Sequence, residues 1–242
     1  MRLGRLVRDR RTRDEALWAV VEGPRSIATA LGCGARVVEA YARPDRIDDA
    51  RRLFGNDTVV EEVDGHVLDR LADTDSPQGV MAVVERSDAA PEVVGAHRRV
   101  VVLDGIQDPG NAGAVVRTAA AAGFGAVVAG TGTADLWSPR AIRASAGAVF
   151  ALDVVRRVET ASVLAVLGAA GHRRVGAVAG GAVDSEGLVP EPMMTLVLGS
   201  EGHGLSVAVL EAVDLEVSVP MADPVESLNV AVTAGILMYR MR

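Results

Sequence analysis

The sequence predicts an α/β protein whose C-terminal two-thirds forms a mostly parallel sheet, preceded by a smaller α/β unit. Three observations carry this. From residue 99 onward, short and nearly continuous apolar runs alternate with helical stretches, the pattern of strands covered on both faces. The loops after three of those strands are punctuated by glycine and proline. A polar, turn-forming stretch, Ser87-Asp88-Ala89-Ala90-Pro91-Glu92, marks a seam between residues 86 and 99. The expected division is a small unit at 1–86, a linker at 87–98 and a large unit at 99–242.

In the first unit, residues 14–22 and 25–31 read as helices, Arg36–Tyr41 as a strand and Ile47–Phe54 as a helix. Thr58–Val60 is strand-like, Gly65–Ala72 helical and Gly79–Val84 a strand. Past the seam, the expected order is strand Arg99–Leu103, helix Asn111–Ala122, strand Ala126–Ala129, helix Pro139–Ala146 and strand Ala151–Val155. Helix Ala161–Ala170, strands Arg174–Ala179 and Thr195–Leu198, helix Leu205–Ala212, strand Leu215–Val219 and helix Leu228–Arg240 complete it. Ligands of such sheets bind at the carboxyl ends of the strands, so the loops after strands carry the functional question.

Of the 242 residues, 49% are hydrophobic and only 3% aromatic, so the core must be built from Ala, Val, Leu and Ile. The net charge of −7 weighs against a polyanionic partner. Lysine is absent, and every cation is an arginine, whose planar fork suits phosphate. Six arginines fall in the first thirteen residues against Asp9 alone, which reads either as a solvated terminus or as a local basic patch. The single Cys33 can form no intramolecular disulfide and reads as a small packing residue. Residues 1–17 hold no apolar signal region, and no uncharged run reaches the ~20 residues of a membrane helix. A cytoplasmic protein without membrane contact is expected. His66, His97, His172 and His203 have no partner at ligand spacing, so no metal site is expected, and surface positions are expected for the first three. Met193, Met194 and Met238 read as core filling.

Three loops stand out. After strand 99–103, Asp108-Pro109-Gly110-Asn111 forms a tight turn in which Asn111 suits a helix cap, and the small apolar helix it opens carries one charge, Arg117. From spacing alone, Arg117 reads as snorkelling to solvent or as pointing into a site. After strand 195–198, Gly199-Ser200-Glu201-Gly202-His203-Gly204 offers bare backbone to a ligand with Glu201 among the glycines, though its spacing fits no phosphate-loop pattern. After strand 215–219, the loop ends with Ser227 placed to cap the last helix and Asn229 two residues in, where asparagine is a poor helix former.

Together these loops resemble the three motifs of the SpoU (TrmH-like) branch of the SPOUT methyltransferases. The matching pieces are Asp108-Pro-Gly-Asn-Ala-Gly with Arg117-Thr118-Ala119, then Leu198-Gly-Ser-Glu-Gly-His-Gly-Leu, then Val219-Pro-Met with Glu226-Ser-Leu-Asn-Val. Asp135-Leu-Trp-Ser-Pro139 and Arg143-Ala-Ser-Ala-Gly147 resemble the family's intervening region. Arg11–Ala16, Val21-Glu22-Gly23 and Ser76-Pro77-Gln78-Gly79-Val80 resemble an L30e-like RNA-binding domain.

The resemblance implies a C-terminal trefoil knot, S-adenosylmethionine as cofactor, a homodimer with the site at its interface, and 2′-O-methylation of RNA ribose, with large-subunit rRNA as the favoured substrate. Transfer-RNA or small-molecule methylation, or a non-catalytic RNA-binding relative, are the alternatives. It places Leu198, Gly199, Gly202, Val219, Met221 and Leu228 around the cofactor, and Asn111, Arg117, Glu201, Ser227 and Asn229 in the catalytic set. Arg117 would orient the ribose hydroxyl and stabilise the developing alkoxide, since a guanidinium with a pKa above ~12 is a poor base. RNA binding would fall to a local patch of Arg8, Arg10, Arg11 and Arg13, because residues 1–90 as a whole hold 14 arginines against 17 acids.

Overall fold

A computed structural model describes residues 2–74 and 76–242. The chain opens with helices α1 (Arg2–Arg8) and α2 (Arg10–Ala16), strand β1 (Trp18–Glu22), α3 (Pro24–Gly32), β2 (Val37–Ala42), α4 (Ile47–Phe54), β3 (Val60–Glu62), α5 (Gly65–Leu71) and β4 (Val80–Glu85). It continues with β5 (Arg99–Asp104), α6 (Pro109–Ala122), β6 (Ala126–Gly130), α7 (Pro139–Ala144), β7 (Asp153–Val158), α8 (Thr160–Ala169) and β8 (Arg173–Ala177). Strands β9 (Val183–Asp184) and β10 (Met194–Gly199), helix α9 (Val207–Leu210), β11 (Leu215–Ser218) and α10 (Val230–Arg240) close the fold. None of the helices among the described residues is long and apolar enough to cross a membrane.

The chain divides into two compact units: residues up to Ser87 with Asp135–Ala151, and Asp88–Ala134 with Leu152–Arg242. The first contains a four-stranded sheet ordered β1-β4-β2-β3, antiparallel except for the β2–β3 pair. Its core gathers Leu3, Leu6, Val20, Leu68, Met81 and Val83. The arginine-rich start is thus helical and anchored by leucines rather than frayed.

Residues 14–22 do not form one helix. Leu17 takes a left-handed conformation (φ 53°) whose N–H closes α2, and the β-branched Val20 and Val21 then enter a strand paired with β4. Asp9 caps α2 by accepting from the Arg11 and Thr12 backbone, and the Thr12 hydroxyl with these amides holds its carboxyl below the usual range.

Segment 135–151 joins this first unit through buried charge. The Arg13 guanidinium donates to Asp135 at 2.7 Å and to the Leu6 and Val7 carbonyls, while the buried Arg86 donates to Asp14 at 2.6 Å and faces the Trp137 ring. Gly147, at φ 82°, passes so close to the Ser26 carbonyl that a Cβ there would lie 2.4 Å from its oxygen. The division of the chain is therefore not a single cut in sequence.

The second unit holds a seven-stranded sheet ordered β7-β6-β5-β10-β8-β11-β9 with every pair parallel. Its central strands are valine-rich, and Val100, Val102, Val128, Val155 and Val197 pack against Leu164 and Leu167 of α8. The stretch expected as a linker is fixed here too: the Ala89 N–H pairs with the Val154 carbonyl and Val94 is fully buried. Two further details depart from expectation. The short β9 pairs with β11, and α9 is one turn long, half the expected helix.

His172 is buried, with Nδ1 3.0 Å from the Thr195 hydroxyl, so it does not belong to the surface, and burial pushes its pKa down. His97 is half-buried against Asp153 at 2.8 Å. Cys33 is exposed at the end of α3 rather than packed, and Met193 is only half-buried whereas Met194 and Met238 lie in the core.

Candidate functional site

The three glycine-punctuated loops leave β5, β10 and β11 at their carboxyl ends, within the second unit. The first is set by Asp108. Its carboxylate caps α6 by accepting from the Asn111 N–H at 2.8 Å, with Pro109 at the first helical position. Asn111 is therefore not the cap but the third residue of the helix, which leaves its side chain available for other partners.

The second loop is a closed turn. Ser200 and Gly204 exchange both backbone hydrogen bonds (3.1 and 2.9 Å), and a Cβ at Gly199 would lie 2.2 Å from the Gly204 carbonyl carbon. Only glycine allows that approach. The third loop contains a cis peptide before Pro224 and ends at Asn229, not Ser227, as the cap of α10: the Asn229 Oδ1 accepts from the Ala231 N–H at 2.8 Å. Asparagine ranks with serine at this position, and the loop extends two residues further than its serine suggests.

One side chain from each loop joins in a chain of hydrogen bonds. With Oδ1 of Asn229 committed to the helix cap, its Nδ2 donates to Oδ1 of Asn111 at 3.0 Å. Asn111 then has only its Nδ2 left to donate, and it does so to Oε1 of Glu201 at 2.6 Å. The cap thus fixes both amide orientations, and a carboxylate terminates the chain.

Beside it lies a cavity of about 510 Å³, a size that suits a small-molecule cofactor. Leu198, Gly199, Glu201, Val219, Met221, Ser227, Leu228 and Asn229 line it. His203 and Glu226 line it as well; sequence reasoning set His203 aside, although it shares a loop with Glu201. Gly202 and Asn111 do not line the cavity, and neither does Arg117. Arg117 lies exposed on α6, six residues and about 9 Å along the axis from Asn111, with no ion pair to any described residue. Its side chain is turned to solvent in the single chain. No group of His, Cys, Asp or Glu suited to a metal ion occurs among the described residues.

The four arginines of the N-terminal patch part company. Arg8 is exposed and unpaired among the described residues, Arg10 lies 3.9 Å from Asp14, and Arg11 is paired with Glu15. Arg13 is buried and committed to Asp135, so it presents no charge to a ligand.

Two known families match successive parts of the chain. Residues 98–239 match the model of the SpoU rRNA methylase family, and residues 3–82 that of an MRM3-like substrate binding domain. The chain is 38% identical over 172 residues to the 23S rRNA (guanosine-2′-O)-methyltransferase RlmP of Bacillus subtilis, covering 71% of this chain and 68% of that one. It is 39% identical to a tRNA/rRNA methyltransferase of Mycolicibacterium gilvum whose role is uncharacterised, over 90% and 74% of the two chains. Among solved structures, the SpoU methyltransferase AviRb of Streptomyces viridochromogenes in complex with AdoMet superposes with a TM-score of 0.87 at 29% identity, covering 99% of this chain and 95% of that one. An AdoMet-bound rRNA methyltransferase from Sinorhizobium meliloti gives 0.86 at 26% identity, over 100% and 92%. With matching motifs, fold and extent, the chain belongs to the SpoU rRNA methylase family.

Proposed function

We propose that this chain transfers the methyl group of S-adenosylmethionine to a ribose 2′-hydroxyl of 23S rRNA, working as a homodimer in the cytoplasm. The observation that carries this reading is the Asn229–Asn111–Glu201 chain, which unites all three family motifs beside a cavity of cofactor size. The cavity fits the cofactor chemically: Leu198, Val219 and Leu228 offer apolar walls for an adenine, and Glu201 and Glu226 offer carboxylates to a sulfonium cation. Met221 and the backbone of Gly199 complete the binding set, from which Gly202 drops out because it does not line the cavity. When bound, S-adenosylmethionine supplies an already activated methyl group, so the protein's task is alignment and control of the hydroxyl proton.

That task falls to Arg117, with Asn111, Glu201 and Asn229 holding the loops in register and Ser227 facing the cavity. A guanidinium without a carboxylate partner is suited to orient a ribose hydroxyl and to stabilise negative charge developing on its oxygen. Its solvent-facing position in one chain supports a site completed by a second copy. On α10, Val232, Ile236 and Tyr239 are exposed at i, i+4 and i+7 spacing, an apolar stripe that a partner would cover. α10 packs back onto α6 and β10 although β11, its preceding strand, lies two places from β10, which supports the family's trefoil knot.

For RNA, Arg8, Arg10 and Arg11 remain the assigned contacts on the substrate-binding unit, joined by the exposed Arg5. We assign 1–86 to substrate binding and 99–242 to methyl transfer, with 135–151 serving the former. Replacing Arg117 with Ala tests the reading: methyl transfer should fall by about two orders of magnitude or more, with cofactor affinity unchanged. Unchanged turnover would overturn the role of Arg117.

A further inference from the structure

Asp104, the last residue of β5, is used by neither the motifs nor the chemistry described above, yet both of its carboxylate oxygens are engaged. Oδ1 accepts from the Thr160 hydroxyl at 2.8 Å, and Oδ2 accepts from the Ser206 N–H at 3.1 Å. In the sheet register Asp104 lies beside Gly199, the residue at which the second loop leaves β10. Ser206 lies two residues past Gly204, where that loop ends. The carboxylate therefore reaches across the base of the closed turn, from the strand next to its first residue to the amide just past its last.

The contact is built, not incidental. Thr160, the first residue of α8, is buried, and a Cβ at Gly130 would lie 2.2 Å from its hydroxyl oxygen and 3.1 Å from the Leu103 carbonyl. Glycine at 130 is what lets Thr160 approach Asp104. Between its two ends the turn is held by the Ser200–Gly204 bonds, by the His203 N–H donating to the Ser200 hydroxyl at 3.2 Å and by the Asn111–Glu201 bond, and it carries Glu201 and His203 to the cavity. The charge-assisted bond from a fixed strand to Ser206 adds an anchor at the exit of the turn that carries those side chains.

We propose that Asp104 is a positioning residue for the cofactor, acting through Ser206 to hold the 199–204 turn in its binding pose. This rests on the reading of the cavity as the S-adenosylmethionine site. The two arms of the carboxylate separate the proposal from a general stabilising role. The Thr160 arm fastens Asp104 to α8, whereas the Ser206 arm alone touches the turn.

The test measures binding of S-adenosylhomocysteine to the full-length chain by calorimetry, alongside thermal unfolding. Asp104→Ala should weaken binding about tenfold, and Asp104→Asn, whose amide can serve both arms, should restore it to within about threefold. Ser206→Pro deletes the N–H together with a hydroxyl that makes no cap bond, at a φ of −66° that already suits proline, and it should reproduce the weakened binding even where Asp104→Ala fails to fold. Thr160→Val should lower the unfolding temperature with affinity unchanged. Wild-type affinity in Ser206→Pro, or equal weakening in Thr160→Val, would overturn the proposal while leaving the cavity reading intact. Absence of binding by the wild-type chain would overturn both.

Discussion

Replacing Arg13 with Ala should destabilise the N-terminal unit severely, although the residue sits in what the sequence presents as a basic patch. The Arg13–Asp135 pair has a 2.7 Å contact between side chains only 5% and 9% exposed. The same guanidinium satisfies the carbonyls of Leu6 at 2.9 Å and Val7 at 3.2 Å. Removing one member of a buried pair leaves the other desolvated, at a cost of about 3–5 kcal/mol. For a chain of this size, about 2–4 °C per kcal/mol converts that into a loss of roughly 6–20 °C in melting temperature. Fluorescence follows the transition directly, because Trp137, two residues from Asp135, is buried against Phe150 at 5.3 Å between ring centroids. Asp135→Ala should cost a comparable amount, and the double variant should cost clearly less than the sum of the two. Arg11→Ala, on the exposed face of the same helix, should leave the transition in place. An Arg13→Ala chain melting within about 2 °C of wild type would refute the assignment of Arg13 as structural.

Two further outcomes follow from the same geometry. Burial holds the His172 pKa below that of a free histidine, with the nearby Arg99 acting in the same direction and backbone partners opposing. The unfolded chain therefore takes up the proton first: stability is complete above about pH 6.5 and declines as pH falls below it, so urea midpoints at pH 7.5 and 5.5 should differ more in wild type than in His172→Gln. Ile236→Asp should convert the proposed dimer to monomer in sedimentation and abolish methyl transfer in the same step; a fully active monomer would contradict a shared site.

The large parallel sheet was legible because its strands are written as unbroken valine-rich runs and its loops as glycine clusters, both local signals. The trio Asn111, Glu201 and Asn229 was legible as a set through the motifs, but not its wiring: that depended on Asn229 rather than Ser227 capping α10, a shift of two residues that propensity cannot resolve. The burial of Arg13 was invisible because its partner lies 122 residues away. For the same reason the sequence suggests one cut at the seam, whereas 135–151 packs with the first unit. Residues 14–22 read as a helix because nothing local announces that Leu17 turns left-handed before β1. Asp104 gave only one faint signal, a charged residue closing a strand whose centre is apolar.

The central claim is methyl transfer to a ribose of large-subunit rRNA, and one measurement reaches it directly. The purified chain is incubated with methyl-labelled S-adenosylmethionine and unmodified 23S rRNA, and the product is hydrolysed in alkali. A 2′-O-methyl group removes the nucleophile that alkaline cleavage requires, so the account predicts label in one alkali-resistant dinucleotide at a single rRNA position, lost in Arg117→Ala. Label released in mononucleotides, which would place the methyl on a base, or no label in rRNA at all, would contradict it.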